Sequence, residues 1–308
     1  MRVVMTGARG FIGLNLAHHL RAAGRGAALT GVDRHRGAPE AERGLFAAFH
    51  SGCFTDAAAL ELAADADAVV HLAADVSVQE SLADPLATFE NNAMRSLRLL
   101  DHLRRHAPQT HVIFASTGGV AADGPDGGGP TSPYAASKLA AEALLAAYAH
   151  AWGLPVLTLR LANVYGPFSH RSDGVIPRFC RRVLEGKPLR LNGDGRQTRD
   201  FIHVEDICQA IAGALETRAV GHYQLGTGVA TSLNELVQML RHLAPGRRVE
   251  VVHGPGLAGE LRDHCADTAR ARRELGFSPR IGLREGLRCT LDWYRQELAG
   301  GEPWRLTA

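Results

Sequence analysis

The sequence predicts an α/β fold built on a doubly wound parallel sheet. Five short apolar segments, each suited to a buried strand, alternate with longer helical patterns. The strand segments are Arg2–Thr6, Ala28–Val32, Ala68–Leu72, His111–Ala115 and Val156–Leu161. The helical segments are Phe11–Ala23, Asp56–Ala63, Asn92–His106 and Tyr134–Trp152. Continuous apolar strands are typical of parallel sheets, because helices cover both faces of such sheets.

The bulk composition excludes several classes of protein. The chain has 308 residues, 34 Lys and Arg against 32 Asp and Glu, and a formal net charge of +2, so no basic surface for nucleic acid is expected. No apolar run approaches the roughly 20 residues of a membrane span, and the N-terminus lacks a signal-peptide pattern. The five cysteines form no C-x-x-C pair, which favours reduced thiols in the cytoplasm. The histidines show no metal-ligand spacing, so we expect no metal.

A glycine-rich loop joins the first predicted strand to the first predicted helix. Gly7, Gly10 and Gly13 allow a tight turn and close backbone approach to a pyrophosphate, which the N–H groups at the helix start would bind. Asp33 ends the second strand, where a carboxylate suits the hydroxyl pair of a ribose. Together these features predict a Rossmann-type dinucleotide-binding domain.

The choice between NAD and NADP depends on three charged residues. Asp33 would repel a ribose 2′-phosphate, whereas Arg9 in the loop and Arg34 after Asp33 could each reach one. Surface arginines are the simpler interpretation of Arg9 and Arg34, so the sequence favours NAD over NADP.

A tyrosine and a lysine lie one helical turn apart at the start of the fourth predicted helix. Ser132 and Pro133 suit the N-cap and first helical position, which puts Tyr134 and Lys138 on one face. A nearby ammonium favours the phenolate, which would make Tyr134 a usable base. Thr117, at the carboxyl end of a neighbouring strand, could hydrogen-bond the substrate oxygen.

At this point the sequence resembles the extended short-chain dehydrogenase/reductase family, specifically its NAD-dependent nucleotide-sugar epimerase/dehydratase group. The resemblance runs nearly end to end. It is carried by T-G-A-R-G-F-I-G at 6–13, H-L-A-A at 71–74, P-L-A-T-F-E-N-N at 85–92, S-T at 116–117, Y-A-A-S-K at 134–138, R-L-A-N-V-Y-G-P at 160–167, G-D-G-R-Q-T-R-D-F-I-H-V-E-D at 193–206 and A-D-T-A-R-A-R-R-E-L-G-F at 266–277.

The resemblance implies a role for each matching position. It implies Thr117, Tyr134 and Lys138 as catalytic residues. It implies a cofactor site formed by Gly7, Arg9, Gly10, Phe11, Ile12, Gly13, Asp33, Arg34, Leu72, Ala73, Ala74, Asn92, Tyr134 and Lys138. It implies a nucleotide-sugar site formed by Ser116, Thr117, Asn163, Val175 and Arg199. For Arg199 an ion pair with Asp200 or Asp206, and for Asn163 a plain turn position, are the structural alternatives.

A change in the sequence pattern after Arg160 indicates the domain organisation. Glycine and proline pairs interrupt the regular alternation after Arg160. We expect a dinucleotide-binding domain at residues 1–162, with segments near 201–227 returning to it. Residues 163–308 would form mainly the smaller C-terminal α/β substrate domain. Relatives of this group pair two long helices per subunit, so Asn92–His106 and Tyr134–Trp152 predict a homodimer.

Departures from the family pattern reduce the number of reactions that fit the sequence. Dehydratases and decarboxylases of this group carry acidic residues after the catalytic Ser/Thr, whereas Gly118 and Gly119 follow Thr117 here. Cys53 stands where an adenine-contacting Asp is usual, and Leu257 replaces an Arg that clamps phosphates, with Arg262 a possible substitute.

The sequence therefore predicts an NAD-dependent 4-epimerase of a nucleotide sugar that acts through a transient keto sugar. The alternatives are an NAD(P)H-dependent ketoreductase of a 4-keto sugar nucleotide and, from another class, a non-catalytic dinucleotide sensor. Intact Thr117, Tyr134 and Lys138 count against the sensor, because binding alone does not need them.

Overall fold

A computed structural model describes residues 1–24, 28–35, 44–121, 129–170, 172–256 and 262–300. Its main feature is a seven-stranded parallel sheet. The strands are β1 Arg2–Thr6, β2 Ala28–Asp33, β3 Ala48–Ser51, β4 Ala68–His71, β5 His111–Thr117, β6 Val156–Leu161 and β10 Gly221–Leu225. Their order across the sheet is β10-β6-β5-β4-β1-β2-β3, and every neighbouring pair is parallel. The predicted doubly wound parallel sheet is confirmed.

Helices cover both faces of this sheet, because alternate residues of each strand point to opposite sides. Val3 and Met5 of β1 belong to one apolar cluster, whereas Val4 between them belongs to another. The helices around the sheet are α1 Phe11–Ala22, α2 Ala57–Ala64, α3 Val78–Ala83, α4 Pro85–Phe89, α5 Arg95–His106, α6 Pro133–Trp152 and α8 Val204–Thr217.

The predicted strands and helices match the structure within a few residues, with two kinds of difference. The helix predicted at Asn92–His106 is α5, which follows α4 through a single π-helical turn at Glu90–Met94. The strands β3 and β10 are absent from the sequence prediction. Both are short edge strands with partly exposed residues, so they lack the continuous apolar run of a central strand.

A smaller α/β unit follows β6. It contains β7 Asn163–Tyr165, β9 Thr198–His203, β11 Ala230–Ser232 and β13 Asp263–His264 in one sheet, and β8 Leu189–Asn192 and β12 Val251–Gly254 in another. Its helices are α7 Val175–Leu184, α9 Leu233–Leu243 and α11 Leu283–Leu298. The helix α10 Ala269–Leu275 packs instead against β10 and α8, beside the main sheet. A third apolar cluster, which includes the fully buried Trp293, fills the core of the smaller unit. From this part of the chain, α8 and β10 return to the main sheet.

Local chemistry sets the start of α6, which carries two of the predicted catalytic residues. The Ser132 hydroxyl accepts a hydrogen bond from the Ala135 N–H at 3.2 Å, and Pro133 occupies the first helical position, as predicted. The helix ends at Gly153, whose φ of +70° is a left-handed conformation that glycine adopts without strain. Across the described ranges, no helix combines the length and apolarity that a membrane crossing requires.

Candidate active site

A cavity of about 970 Å³ lies at the carboxyl ends of the parallel strands, between the main sheet and the smaller unit. This is where doubly wound folds place their ligands. Every residue predicted for the cofactor, substrate and catalytic sites lines it, with the single exception of Asn92.

The glycine-rich loop brings the backbone of β1 close to the segment after β4. Gly7 has a φ of +68°, and a Cβ at this position would lie 2.8 Å from the Ala73 nitrogen. Gly13 is equally constrained, since its Cβ would lie 2.5 Å from the Gly7 carbonyl oxygen. The first turn of α1 has no side-chain cap, which leaves its N–H groups for an anion at the cavity wall.

Asp33 ends β2 at the cavity with its carboxylate already oriented. One oxygen accepts a hydrogen bond from the Arg9 backbone N–H at 2.9 Å, and the other accepts from the His35 backbone N–H at 3.0 Å. Arg34 forms an exposed ion pair with Asp75 at 3.1 Å. The loop, the uncapped helix start and this fixed carboxylate fit the pyrophosphate and ribose of a dinucleotide.

Tyr134, Lys138 and Thr117 all line the cavity, and Tyr134 hydrogen-bonds Thr117. Burial raises the pKa of Tyr134 to about 12, although the hydrogen bond with Thr117 acts in the opposite direction. Burial lowers the pKa of Lys138 to about 7, against the opposing influence of Glu142. The Lys138 ammonium lies 4.0 Å from the centre of the Phe114 ring. That Lys138 favours the Tyr134 phenolate stays a prediction.

Glu142 lies one turn after Lys138 and forms a buried ionic network that is absent from the sequence prediction. Its carboxylate accepts hydrogen bonds from Arg160 Nε at 3.0 Å and Arg160 Nη2 at 2.6 Å, and His222 Nε2 lies 3.4 Å away. Burial alone would raise the pKa of Glu142, but its partners His222 and Arg160 hold that pKa at about 2. The i, i+4 spacing from Lys138 was the available sequence signal.

His71, the first residue of the H-L-A-A motif, is buried directly before Leu72, which lines the cavity. Its Nδ1 lies 2.7 Å from Thr6 Oγ1, and its Nε2 lies 2.9 Å from Ser96 Oγ. Burial, with a contribution from Lys138, lowers its pKa to about 3, so the ring is neutral at physiological pH. His71 therefore links β1 to α5 close to Lys138.

Asn92 lies behind the cavity wall, in the π-helical turn, rather than on the cavity surface. Its amide oxygen accepts from the Asp75 N–H at 2.8 Å, and its amide nitrogen donates to the Asp75 carbonyl at 2.9 Å and to Ser137 Oγ at 3.0 Å. Asn92 is 1% exposed. The structure thus gives it the geometry of a clamp on the segment after β4, whereas the sequence predicts a cofactor-binding residue.

The smaller unit lines the other end of the cavity, where three of the residues predicted to bind the substrate lie. Asn163 begins β7, Val175 begins α7, and Arg199 lies in β9, where its Nη1 donates to the Thr198 carbonyl at 2.7 Å. The two carboxylates considered as partners for Arg199 both accept backbone hydrogen bonds, Asp200 from Thr227 and Asp206 from Arg280.

The other arginines that line this end of the cavity are not the ones that the sequence predicts. Arg178 and Arg190 line the cavity, although the sequence does not predict them there. Arg262, suggested as a substitute for a phosphate-binding arginine, is exposed and is not among the residues that line the cavity. Leu257 and Glu260 lie outside the described residues.

The fold and this cavity are those of a dinucleotide-binding protein, and a threonine, a tyrosine and a lysine line the cavity. The sequence profile of the NAD dependent epimerase/dehydratase family matches residues 3–226, and the chain belongs to this family. The resemblance identified from the motifs is therefore confirmed.

Individual relatives include both kinds of enzyme. The chain is 33% identical to a UDP-glucose 4-epimerase of Mycolicibacterium smegmatis, over 96% of this chain and 99% of that protein. It is 30% identical to a dTDP-glucose 4,6-dehydratase of the same organism, over 100% and 97% of the two chains. Among solved structures, the UDP-glucose 4-epimerase of Thermus thermophilus in complex with NAD superimposes with a TM-score of 0.86. That alignment covers 96% of this chain and 99% of the other at 33% identity.

Proposed function

We propose that this protein is an NAD-dependent 4-epimerase of a nucleotide-activated sugar. NAD, held by the glycine-rich loop and Asp33, would accept a hydride from the sugar ring and return it to the opposite face. The transient species between these two steps is a 4-keto sugar, which must stay bound until the hydride returns.

In this proposal the protein side chains transfer the proton of the sugar 4-hydroxyl and hold its oxygen in position. Tyr134 Oη takes the proton of the sugar 4-hydroxyl as the keto sugar forms and gives it back as the epimer forms. Thr117 Oγ1 hydrogen-bonds the same sugar oxygen and keeps it within reach of Tyr134. Lys138 supplies a positive charge that favours the phenolate once substrate and cofactor fill the cavity. Arg199, whose guanidinium suits phosphate oxygens, holds the nucleotide end.

The observation that carries the choice of epimerase is the pair Gly118 and Gly119 directly after Thr117. Elimination of water from the sugar needs an acid and a base beside the reacting carbons. The carboxylates among the described cavity residues are Asp33, Asp75, Glu80 and Asp173. None of these four follows Thr117, which supports simple hydride transfer and return.

Two measurements test this proposal. Heat denaturation followed by mass spectrometry identifies the released cofactor, and one NAD per chain is expected. Proton NMR then follows purified protein with UDP-glucose and dTDP-glucose, without added cofactor, and an equilibrium mixture of 4-epimers is expected from at least one. A 4-keto-6-deoxy product would instead establish a dehydratase. Turnover only with added NADPH and a keto sugar would establish the ketoreductase.

We also propose that the protein forms a homodimer in a reducing cytoplasm. Leu86, Phe89, Met94 and Trp152 present exposed apolar surface on α4, on the π-helical turn and on α6. All five cysteines are free thiols. Light scattering after size-exclusion chromatography should give twice the 33.0 kDa chain mass. Replacement of Met94 and Trp152 by Glu should halve that mass, whereas a wild-type mass of one chain would exclude the dimer.

A further inference from the structure

Gly118, the residue after Thr117, lies against the side chain of His264, which is distant along the chain. Gly118 is buried, and a Cβ at this position would lie 2.3 Å from Nε2 and 2.4 Å from Cε1 of His264. Real Cβ atoms do not approach ring atoms so closely, so the imidazole fills the space that a side chain at position 118 would need. The φ of Gly118 is not in the left-handed range, so this contact rather than backbone conformation requires glycine.

The backbone of the segment that carries His264 is fastened to β9. His264 pairs with Arg199 in the sheet, and Asp263 accepts hydrogen bonds from the Thr198 N–H at 3.1 Å and the Thr198 hydroxyl at 2.7 Å. On the other side of His264, the fully buried Asp200 accepts from the Ala266 N–H at 3.3 Å.

His264 therefore links the segment after Thr117 to strand β9. It forms a backbone hydrogen bond with Gly118, next to Thr117, and its own backbone lies beside Arg199 at the substrate end. The Thr117 hydroxyl accepts a hydrogen bond from the Gly119 N–H at 3.2 Å, so the His264 ring lies against the turn that orients this hydroxyl.

We propose that His264 is a specificity-determining positioning residue, which closes position 118 to any side chain and holds the Thr117–Gly119 turn in place. An acid directly after Thr117, which elimination chemistry would use, is excluded by this contact. This assignment deepens the proposed function and rests on it for the reaction, but the packing itself can be tested separately.

The packing test compares Gly118→Ala, His264→Ala and the double variant by thermal unfolding with saturating NAD. Gly118→Ala should lower the melting temperature by several degrees in the wild-type background and by almost nothing in the His264→Ala background. Gly119→Ala is the matched control, because its Cβ would lie 3.6 Å from the nearest atom, an ordinary contact. Additive effects of Gly118→Ala and His264→Ala would overturn the proposal. This result does not depend on which reaction the enzyme catalyses.

The functional test separates positioning from folding. His264→Ala should lower kcat about tenfold, leave KM within about twofold and retain one NAD per chain. His264→Asn, which keeps a hydrogen-bond donor for Gly118, should recover most of the loss. His264→Ala should also release keto sugar that the wild type retains, detected by borodeuteride trapping and mass spectrometry. An unchanged kcat for His264→Ala, or a loss explained entirely by lost NAD, would refute the positioning role. Strong coupling in the packing test with no epimerase activity in the wild type would refute only the proposed function.

Discussion

Replacement of Glu142 by Gln should destabilise the protein, because Glu142 forms a buried ion pair with Arg160. The carboxylate is 7% exposed and accepts three hydrogen bonds, of 2.6 to 3.1 Å, from Arg160, whose side chain is 18% exposed. The amide of Gln keeps the shape but not the charge. Arg160 would then remain buried without an anion, which is the costly outcome when one partner of a buried pair is removed.

Two independent arguments give a similar loss of folding free energy for Glu142→Gln. Removal of one member of a buried ion pair costs about 3–5 kcal/mol. The fall in the pKa of Glu142 from 4.5 to about 2 corresponds to about 3 kcal/mol of preference for the charged form in the folded protein. A loss of this size should lower the melting temperature by roughly 6–10 °C for a chain of this length.

The assay is thermal unfolding followed by circular dichroism at pH 7 and at lower pH. Because the folded pKa lies below the unfolded one, the stabilisation is present above pH 4.5 and is lost as the pH falls towards 2. The difference between wild type and Glu142→Gln should therefore shrink in acid. Glu274→Gln, which removes an exposed partner of Arg270, is the control and should change little. Equal losses for the two variants at pH 7 would refute the reasoning.

Three further predictions concern the active site. Tyr134→Phe should lower turnover about 10²–10⁴-fold, measured by NMR, while one NAD per chain remains bound, since only the proton transfer is removed. Gly7→Ala should lose NAD, measured by mass spectrometry after denaturation, because its Cβ would lie 2.8 Å from the Ala73 nitrogen. Arg199→Ala should raise KM for the nucleotide sugar about tenfold or more, measured by steady-state kinetics, because it removes a charged phosphate contact.

Each of these variants has a control in the same chain. Tyr148→Phe removes a hydroxyl that contacts Asp101 rather than the cavity and should leave turnover unchanged. Gly24→Ala shares a left-handed φ, +59°, but meets nothing within 4 Å, so it should retain NAD. Arg262→Ala removes an exposed cation, so its KM should match the wild type. Wild-type turnover in Tyr134→Phe, NAD retained in Gly7→Ala, or equal KM in the two arginine variants would each contradict the assigned role.

Sequence patterns predicted the central strands because burial on both faces demands continuous apolar runs. The predicted bounds of β1 and β6 match the structure at both ends. The edge strand β10 was not predicted, because a strand with a neighbour on one side only does not need a continuous apolar run. Its neighbour in the sheet, β6, lies about sixty residues earlier, and no local pattern records this pairing.

The sequence by itself determined the family, the nucleotide loop and the placement of Tyr134 and Lys138 on one face, because these depend on short spacings and local backbone geometry. Only the tertiary structure decided the electrostatics and closure of the site. The pKa of Tyr134 rises and that of Lys138 falls because the surrounding protein removes water from both groups. A Cβ at Gly118 would meet the ring of His264, which lies far away along the chain. Burial and contacts of such long range arise only when the whole chain has packed.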